Sequence, residues 1–359
     1  MTTAMSDQLV MVIDSTPHYG WKEASISRSI ERGPHQFSLQ LSENWNTDNK
    51  VNRRSIEKGM ELLAYVNDDL LLTGYVNDLQ PSYDKQSHSI RINGGNRLVD
   101  LVDCSTTGKQ FVKQSLLQIC TTLCKPFGIQ VRVDASVVNA ANKMFVNTHR
   151  LDLGEPIWEF LEELARIRAV LLTSNANGDL VITRAGTASA DVALVLGQNI
   201  KTARGNFSDR NLFSEYTVSG QQGNEPFTQL EGVDTALPMA TVKGSGRYRP
   251  FAVAADNPMD QAGCMTRAEW QKNVNEGRAD SVTYTVSGWR QQEGGRIWAP
   301  NELVTVTDPY QGFSKRELLI AEHRLILNDQ GSNTELRVMP KGAFDLVPQV
   351  EQAAEGYQL

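Results

Sequence analysis

The sequence predicts a mainly β, multidomain protein with α+β parts: two β-barrel-like domains, a helix–strand α+β domain and an inserted domain. Three observations lead there. Residues 8–100 read as short strands at close spacing, separated by turn residues, the pattern of an antiparallel barrel or sandwich. After Cys104 the apolar period becomes helical, and beyond residue 200 it returns to that of strands. A chain of 359 residues is also too long for one small core, so two to four domains are expected.

The first domain is assigned to residues 1–105. Residues 9–14 form a short apolar strand, and residues 24–30 a half-buried one. Phe37, Leu39 and Leu41 alternate with Ser38, Gln40 and Ser42, which is strand periodicity. Asn67-Asp68-Asp69 is a turn by composition between strands 62–66 and 70–79. Gln80-Pro81-Ser82 predicts a second turn leading into strand 87–92. Gly94-Gly95-Asn96 is expected to break that strand before a helical turn carrying Leu98, Leu101 and Val102.

Residues 106–200 form the α+β domain. Val112, Leu116, Ile119, Cys120 and Leu123 recur at helical spacing, and Pro126 with Gly128 stops that helix. Ile129, Val131 and Val133 alternate as a strand. Pro156 opens a second helix whose stripe is Ile157, Phe160, Leu161, Leu164 and Ile167, with Glu159, Glu162, Glu163 and Arg166 outward. Strands 169–173 and 180–183 follow around a turn at residues 175–179. The second β-barrel-like domain takes residues 201–220 and 283–348, with strands at 303–307, 318–321, 324–327 and 334–338 and a hairpin turn over 329–333. An inserted domain, 221–282, is broken by Pro226, Pro238, Gly244, Gly246, Pro250 and Pro258 and holds one helix near 266–274. Residues 349–359 are a polar C-terminal tail. Tyr216-Thr217-Val218-Ser219-Gly220 recurs as Tyr284-Thr285-Val286-Ser287-Gly288, either a duplication or two strands under similar packing pressure.

Composition narrows the function classes. With 42 acidic against 35 basic side chains the net charge is −7, and no dense basic cluster suggests a nucleic-acid binder. Asn52-Arg53-Arg54 and Arg247-Tyr248-Arg249 are too short to count. No apolar run reaches the roughly 18–20 residues needed to span a bilayer, and residues 1–7 lack the basic-then-apolar pattern of a secretory signal, so cytoplasmic synthesis is expected. Four cysteines, at 104, 120, 124 and 264, fit reduced and mostly buried thiols.

Enzyme signatures are missing one after another. Gly108-Lys109 lacks the upstream glycine and following Ser or Thr of a phosphate loop, and Gly244-Ser245-Gly246 lacks a dinucleotide site's flanking strand and helix. No Gly-x-Ser-x-Gly elbow occurs. His18, His35, His88, His149 and His323 are scattered, which suggests surface or turn positions. Cys120 and Cys124 share a helix face but have no further ligand nearby in sequence, so they read as core thiols. Asp68-Asp69 fits a turn and Glu162-Glu163 an exposed helix face, rather than a glycosidase acid pair. No catalytic residue, no cofactor site and no metal site is therefore expected.

Several blocks carry a resemblance. The first comprises Gly74, Tyr75, Asp78, Ile90, Ile92, Gly94, Arg97 and the run Asp100-Leu101-Val102-Asp103-Cys104-Ser105. The second is Pro156, Trp158, Phe160, Leu161, Leu164, Ala165, Gly178 and Leu180-Val181-Ile182-Thr183. Others are Gly20-Trp21, Arg28-Ser29-Ile30-Glu31, Phe37, Trp298-Ala299-Pro300-Asn301 with Val304 and Val306, and Leu318-Leu319-Ile320. From about residue 9 to 348 the chain resembles the baseplate hub proteins of Mu-like contractile-tailed phages, which are related to the hub domains of secretion-system spike proteins. Asn96 departs from the small residue expected after Gly94.

The resemblance implies a structural protein of the virion tail baseplate and no enzyme. Its expected partners are itself, as a homotrimer ring, the central spike protein, and the tail tube and baseplate proteins. Two barrel-like domains per subunit would present six similar units to a sixfold tube. Phage DNA would pass through the ring without sequence-specific binding, and the acidic balance fits a lumen that repels phosphates. No membrane insertion is expected. Two other functions are alternatives. A tail-associated peptidoglycan hydrolase would need a catalytic segment, and none is left over. A spike component of a contractile secretion system usually carries a long C-terminal β-helical needle, whereas this sequence ends in a short polar tail at Leu359.

Overall fold

The computed structural model describes residues 7–42, 56–84, 88–186, 188–221, 238–258 and 260–346. Asn52-Arg53-Arg54, Pro226 and the tail at 349–359 lie outside them, as do residues 1–6.

Seven strands form the N-terminal unit: β1 (Leu9–Ile13), β2 (Thr16–His18), β3 (Glu23–Ser29), β4 (Gln36–Ser42), β5 (Glu61–Val66), β6 (Asp69–Tyr83) and β7 (His88–Asn96). Alternation works as expected in them. Met11, Ile26, Leu39, Leu62, Ala64, Val66 and Ile92 point inward and are almost fully buried. The predicted turn at 67–69 is tighter, since Val66 pairs directly with Asp69 and Asn67 takes φ +52°.

Two local expectations need correction. Gln80-Pro81-Ser82 is not a turn, because β6 runs on through Pro81 to pair Tyr83 with His88. The β5 partner stops at Tyr75, so among the described residues no strand pairs with the second edge of β6 at Pro81 and the ladder uses no donor there. Nor do Gly94 and Gly95 break β7. They continue it because neighbouring backbones come too close for a side chain. A Cβ at Gly94 would run into the Tyr75 carbonyl and the Phe37 ring, and one at Gly74 would meet the Gly95 carbonyl. The helical turn that follows is α1 (Val99–Asp103).

The middle unit contains β8 (Lys109–Phe111), α2 (Leu116–Cys124), β9 (Val131–Val133), α3 (Val138–Asn142), β10 (His149–Leu151), α4 (Ile157–Ile167), β11 (Leu171–Ser174) and β12 (Leu180–Thr183). Val112 stands outside α2, exposed, because Ser115 caps the helix and exchanges hydrogen bonds with Gln118. Gly128 ends the following 3-10 turn at φ +66°. The predicted stripe of α4 is buried, joined by Trp158 and Ala165. Cys120 and Cys124 lie in this core.

In the C-terminal half come β13 (Ala188–Ser189), β14 (Leu194–Val195), β15 (Ile200–Phe207), β16 (Glu215–Gln221), β17 (Met239–Lys243), β18 (Pro250–Pro258), α5 (Gln261–Ala279), β19 (Asp280–Ser287), β20 (Glu302–Asp308), β21 (Phe313–Asn328) and β22 (Gly331–Met339). The helix expected near 266–274 is longer, 19 residues, and is capped by Asp260. The strands expected at 318–321 and 324–327 are one strand, β21, in which Ala321 forms a bulge against β22. Its hairpin turn is only Asp329-Gln330, because Asn328 already pairs with Gly331.

Strand pairing then departs from the order in sequence. β16 pairs with β17 and β18 in a separate three-stranded sheet covered by α5, so the two Tyr-Thr-Val-Ser-Gly copies sit in different sheets. β13 and β14, from the end of the middle region, pair with β20. Most of the remaining strands join one sheet, in the order β15-β19-β22-β21-β3-β4-β7-β6-β5-β1-β2. The N-terminal and C-terminal β regions are therefore fused through a single β21–β3 seam.

Candidate functional site at the junction of the units

Among the described residues no three His, Cys, Asp or Glu side chains gather as metal ligands. The carboxylate pairs are dispersed on the surface: Asp68 and Asp69 are exposed, as is Glu163. What the fold does bring together is a set of residues at the meeting point of the three units.

The seam itself is regular. β3 pairs with β21 from Ala24↔Leu327 to Ser29↔Glu322. On its outer face Glu322 accepts from Ser27 at 2.9 Å, Arg324 donates to Ser25 at 3.0 Å, and Arg337 bridges Glu31 and Glu322. These are partly exposed pairs, worth about 0–1 kcal/mol each. On its inner face the cores interpenetrate. Leu325 and Trp289 belong to the N-terminal core, and the Trp289 indole donates to the Ile326 carbonyl at 3.1 Å. Arg290 reaches Asp7 and Asp69, both at 2.8 Å, clamping the far end of the N-terminal unit.

The middle unit is held by the loop between β3 and β4. Gly33 lies flat against Trp158 of α4, so close that a Cβ would enter the indole ring. His35 Nε2 is 3.1 Å from the Ser174 carbonyl of β11. A Cβ at Gly178, in the β11–β12 turn, would stand 2.9 Å from the Thr73 carbonyl of β6. Toward the C-terminal unit, Asn301 sits at φ +68°; its side chain accepts from Gly186 N and donates to the Arg184 carbonyl, both 2.8 Å.

Within this junction lies a buried polar group at positions the sequence pattern places on the surface or in turns. Neither His35 nor His323 is a surface residue: they are 1% and 0% exposed, and His323 lies within β21. Arg28 is the register partner of His323 across the seam. Burial, and then the Arg28 charge, pushes His35 down to about 3, against a smaller opposing effect of the Ser174 carbonyl. His323 is held well below the usual range by burial, Arg28 and His35, with the Trp298 backbone acting the other way. Burial also lowers Arg28 to about 10, offset by Glu302. Glu302 is itself raised by burial, although Arg296 and Gln291 bond it. The signal was available for His323: it falls in phase with Ala321 and Leu325 on the inward face of a strand. Nothing in the sequence marked His35, which lies in a loop.

The junction can therefore fix three units in one frame. Residues 8–96 match the N-terminal domain of the Mu phage baseplate assembly protein GpP-like family, residues 99–184 the second domain of gp44-like baseplate hub proteins, and residues 260–347 the fourth domain of GpP. Baseplate hub protein gp44 of Escherichia phage Mu is 30% identical over 353 residues, covering 96% of this chain and 90% of that one. The crystal structure of the 43 kDa tail protein of prophage MuSo2 from Shewanella oneidensis superposes with a TM-score of 0.82 at 34% identity, over 94% of this chain and 99% of that one. A type VI secretion system component of E. coli, c3393, shares the fold alone, with a TM-score of 0.53 at 9% identity over 89% of this chain and 73% of that one. The multi-unit β frame, its domain-by-domain matches and this near full-length identity lead to one conclusion: the chain belongs to the family of Mu-like phage baseplate hub proteins.

Proposed function

We propose that this protein is the ring subunit of a tail baseplate hub, three copies closing around an axis between the tail tube and the central spike. The observation that carries the reading is the near full-length similarity to gp44 of phage Mu. The fused sheet supports it, since a part that joins a tube to a spike must carry load between its units without hinging. Within each subunit, the β region of residues 1–105 and that of 283–348 supply two ring segments, hence six in the trimer. A closed ring of this kind leaves no free end for polymerisation.

The subunit works by shape and assembly, with no chemical step of its own. Phage DNA passes through the ring without base-specific contact, and the excess of carboxylates lines the passage so that phosphates slide rather than stick. Assembly takes place in the host cytoplasm.

Light scattering on the purified chain tests the ring: a mass about three times 39.8 kDa is expected, and a monomer at high concentration overturns it. A reconstruction of the ring with a predominantly basic inner surface would refute the charged passage. Purified protein is expected to leave peptidoglycan intact; clearing that a single Asp or Glu substitution abolishes would establish a hydrolase instead.

A further inference from the structure

The buried group at the junction has no place in the assembly reading above, and its composition is unusual for a structural seam. Arg28 on β3 and His323 on β21 are register partners, His35 lies in the loop after β3, and the Arg28 charge acts on both buried histidines and on Glu302 of β20. Among the described residues Arg28 Nε, a donor, and His35 Nδ1, an acceptor while Nε2 donates to Ser174, have no hydrogen-bond partner, so the cluster is not a satisfied network. Two of the connections that set the frame pass through it. Arg28–His323 is a rung of the seam, and His35 ties the loop to Ser174 of the middle unit.

We propose that Arg28, His35 and His323 form an acid-releasable latch that holds the three units together while both imidazoles are neutral and frees the seam and the middle unit when they are protonated.

The charges facing the cluster decide the direction. From β3 comes Arg28, from β20 Glu302, and behind Glu302 stand Arg296 and Asp191, which bond each other. From β11 the Ser174 carbonyl faces His35, and the backbone of Trp298 faces His323. At neutral pH the set is balanced: two guanidinium groups against two carboxylates. Two added protons would set four positive groups against the same two carboxylates, of which only Glu302 is buried. That carboxylate is already engaged by Arg296 and Gln291. Relief comes by exposing the imidazoles, which requires breaking the β3–β21 rung or lifting the loop from Ser174.

The sign follows from linkage. A histidine held low in the closed state and ordinary in the opened one binds its proton mainly when open, so opening grows as pH falls below about 6.5. With His35 near 3 when closed, the opening equilibrium rises about thirtyfold at pH 5 for that group alone. Above pH 7 the latch is indifferent to pH.

Hydrogen exchange read by mass spectrometry on the full chain at pH 7.5 and pH 5.0, corrected for intrinsic rates, tests this. At pH 5.0 the amides of β3, β21 and β11 are expected to lose at least about tenfold in protection, while the β5–β6 hairpin and the β19–β22 pair keep theirs. In the double variant His35→Gln, His323→Gln most of that acid response disappears. The proposal is overturned if wild type opens evenly or first in the hairpins, or if the variant keeps the full acid response. Should the double variant not fold, the pattern in wild type decides by itself.

Discussion

Gly33 and Asn301 show how single residues set angles between whole units. Gly33 has an ordinary backbone conformation, and its glycine is required by the indole of Trp158 lying where a Cβ would be. Gly33→Ala is expected to cost about 1–3 kcal/mol by overpacking, read as a lower urea midpoint with an unchanged slope. Asn301 does two jobs, a left-handed backbone and two side-chain hydrogen bonds. Asn301→Gly keeps the first and loses the second, so its loss relative to wild type, about 1–3 kcal/mol, measures the bonds; Asn301→Ala should be worse in the same unfolding experiment. Neither role was legible in the sequence, because each depends on an atom contributed by a distant segment. The cysteines were legible. Burial raises Cys120 well above the normal thiol range and pushes Cys124 up to about 12. In native protein at pH 8 a thiol reagent is expected to reach Cys104, which is partly exposed, well before the buried Cys120, Cys124 and Cys264. Equal rates for all four would show that the middle core opens.

Elements built on their own periodicity were read correctly, and those shaped by neighbours were not. Helix α4 announces itself by five apolar residues on one face, and all five are buried. Leu161, fully buried at the centre of that stripe, is expected to cost about 2–5 kcal/mol as Leu161→Ala, measured by denaturant unfolding. Helix α2 is set by its cap: Ser115→Ala should cost about 0.5–2 kcal/mol, with Ser115→Asp recovering most of it. By contrast, Gly94-Gly95 and Pro81 look like breakers yet lie inside strands. The glycines are there because β4, β6 and β7 press together, and the proline is tolerated because β5 ends before reaching it. A breaker in sequence becomes a strand residue when the partner strand supplies the reason.

At the scale of the molecule the decisive feature is that the sheet does not respect chain order. Leu325 and Trp289 complete the N-terminal core, and β3 finds its partner nearly 300 residues away in β21. A fragment of residues 1–105 is therefore expected to lack a cooperative thermal transition, while the full chain shows one; a cooperatively folded fragment would mean that the seam is a docking surface rather than part of the core. The same fusion explains why contacts spread along the seam can be individually weak. The outer ion pairs contribute little, and rigidity comes from eleven strands in one ladder path.

What the sequence determined by itself was the class of the protein. Alternation specified strands and 3.6-residue periodicity specified the helices of the middle unit, because each of these is a property of neighbouring residues. Only the tertiary structure decided which strands share a sheet, that two Tyr-Thr-Val-Ser-Gly segments part company, and that His35 and His323 are buried beside Arg28. Those outcomes depend on pairing between segments far apart in the chain, where burial of a polar side chain is set by what closes over it and not by its own surroundings in sequence.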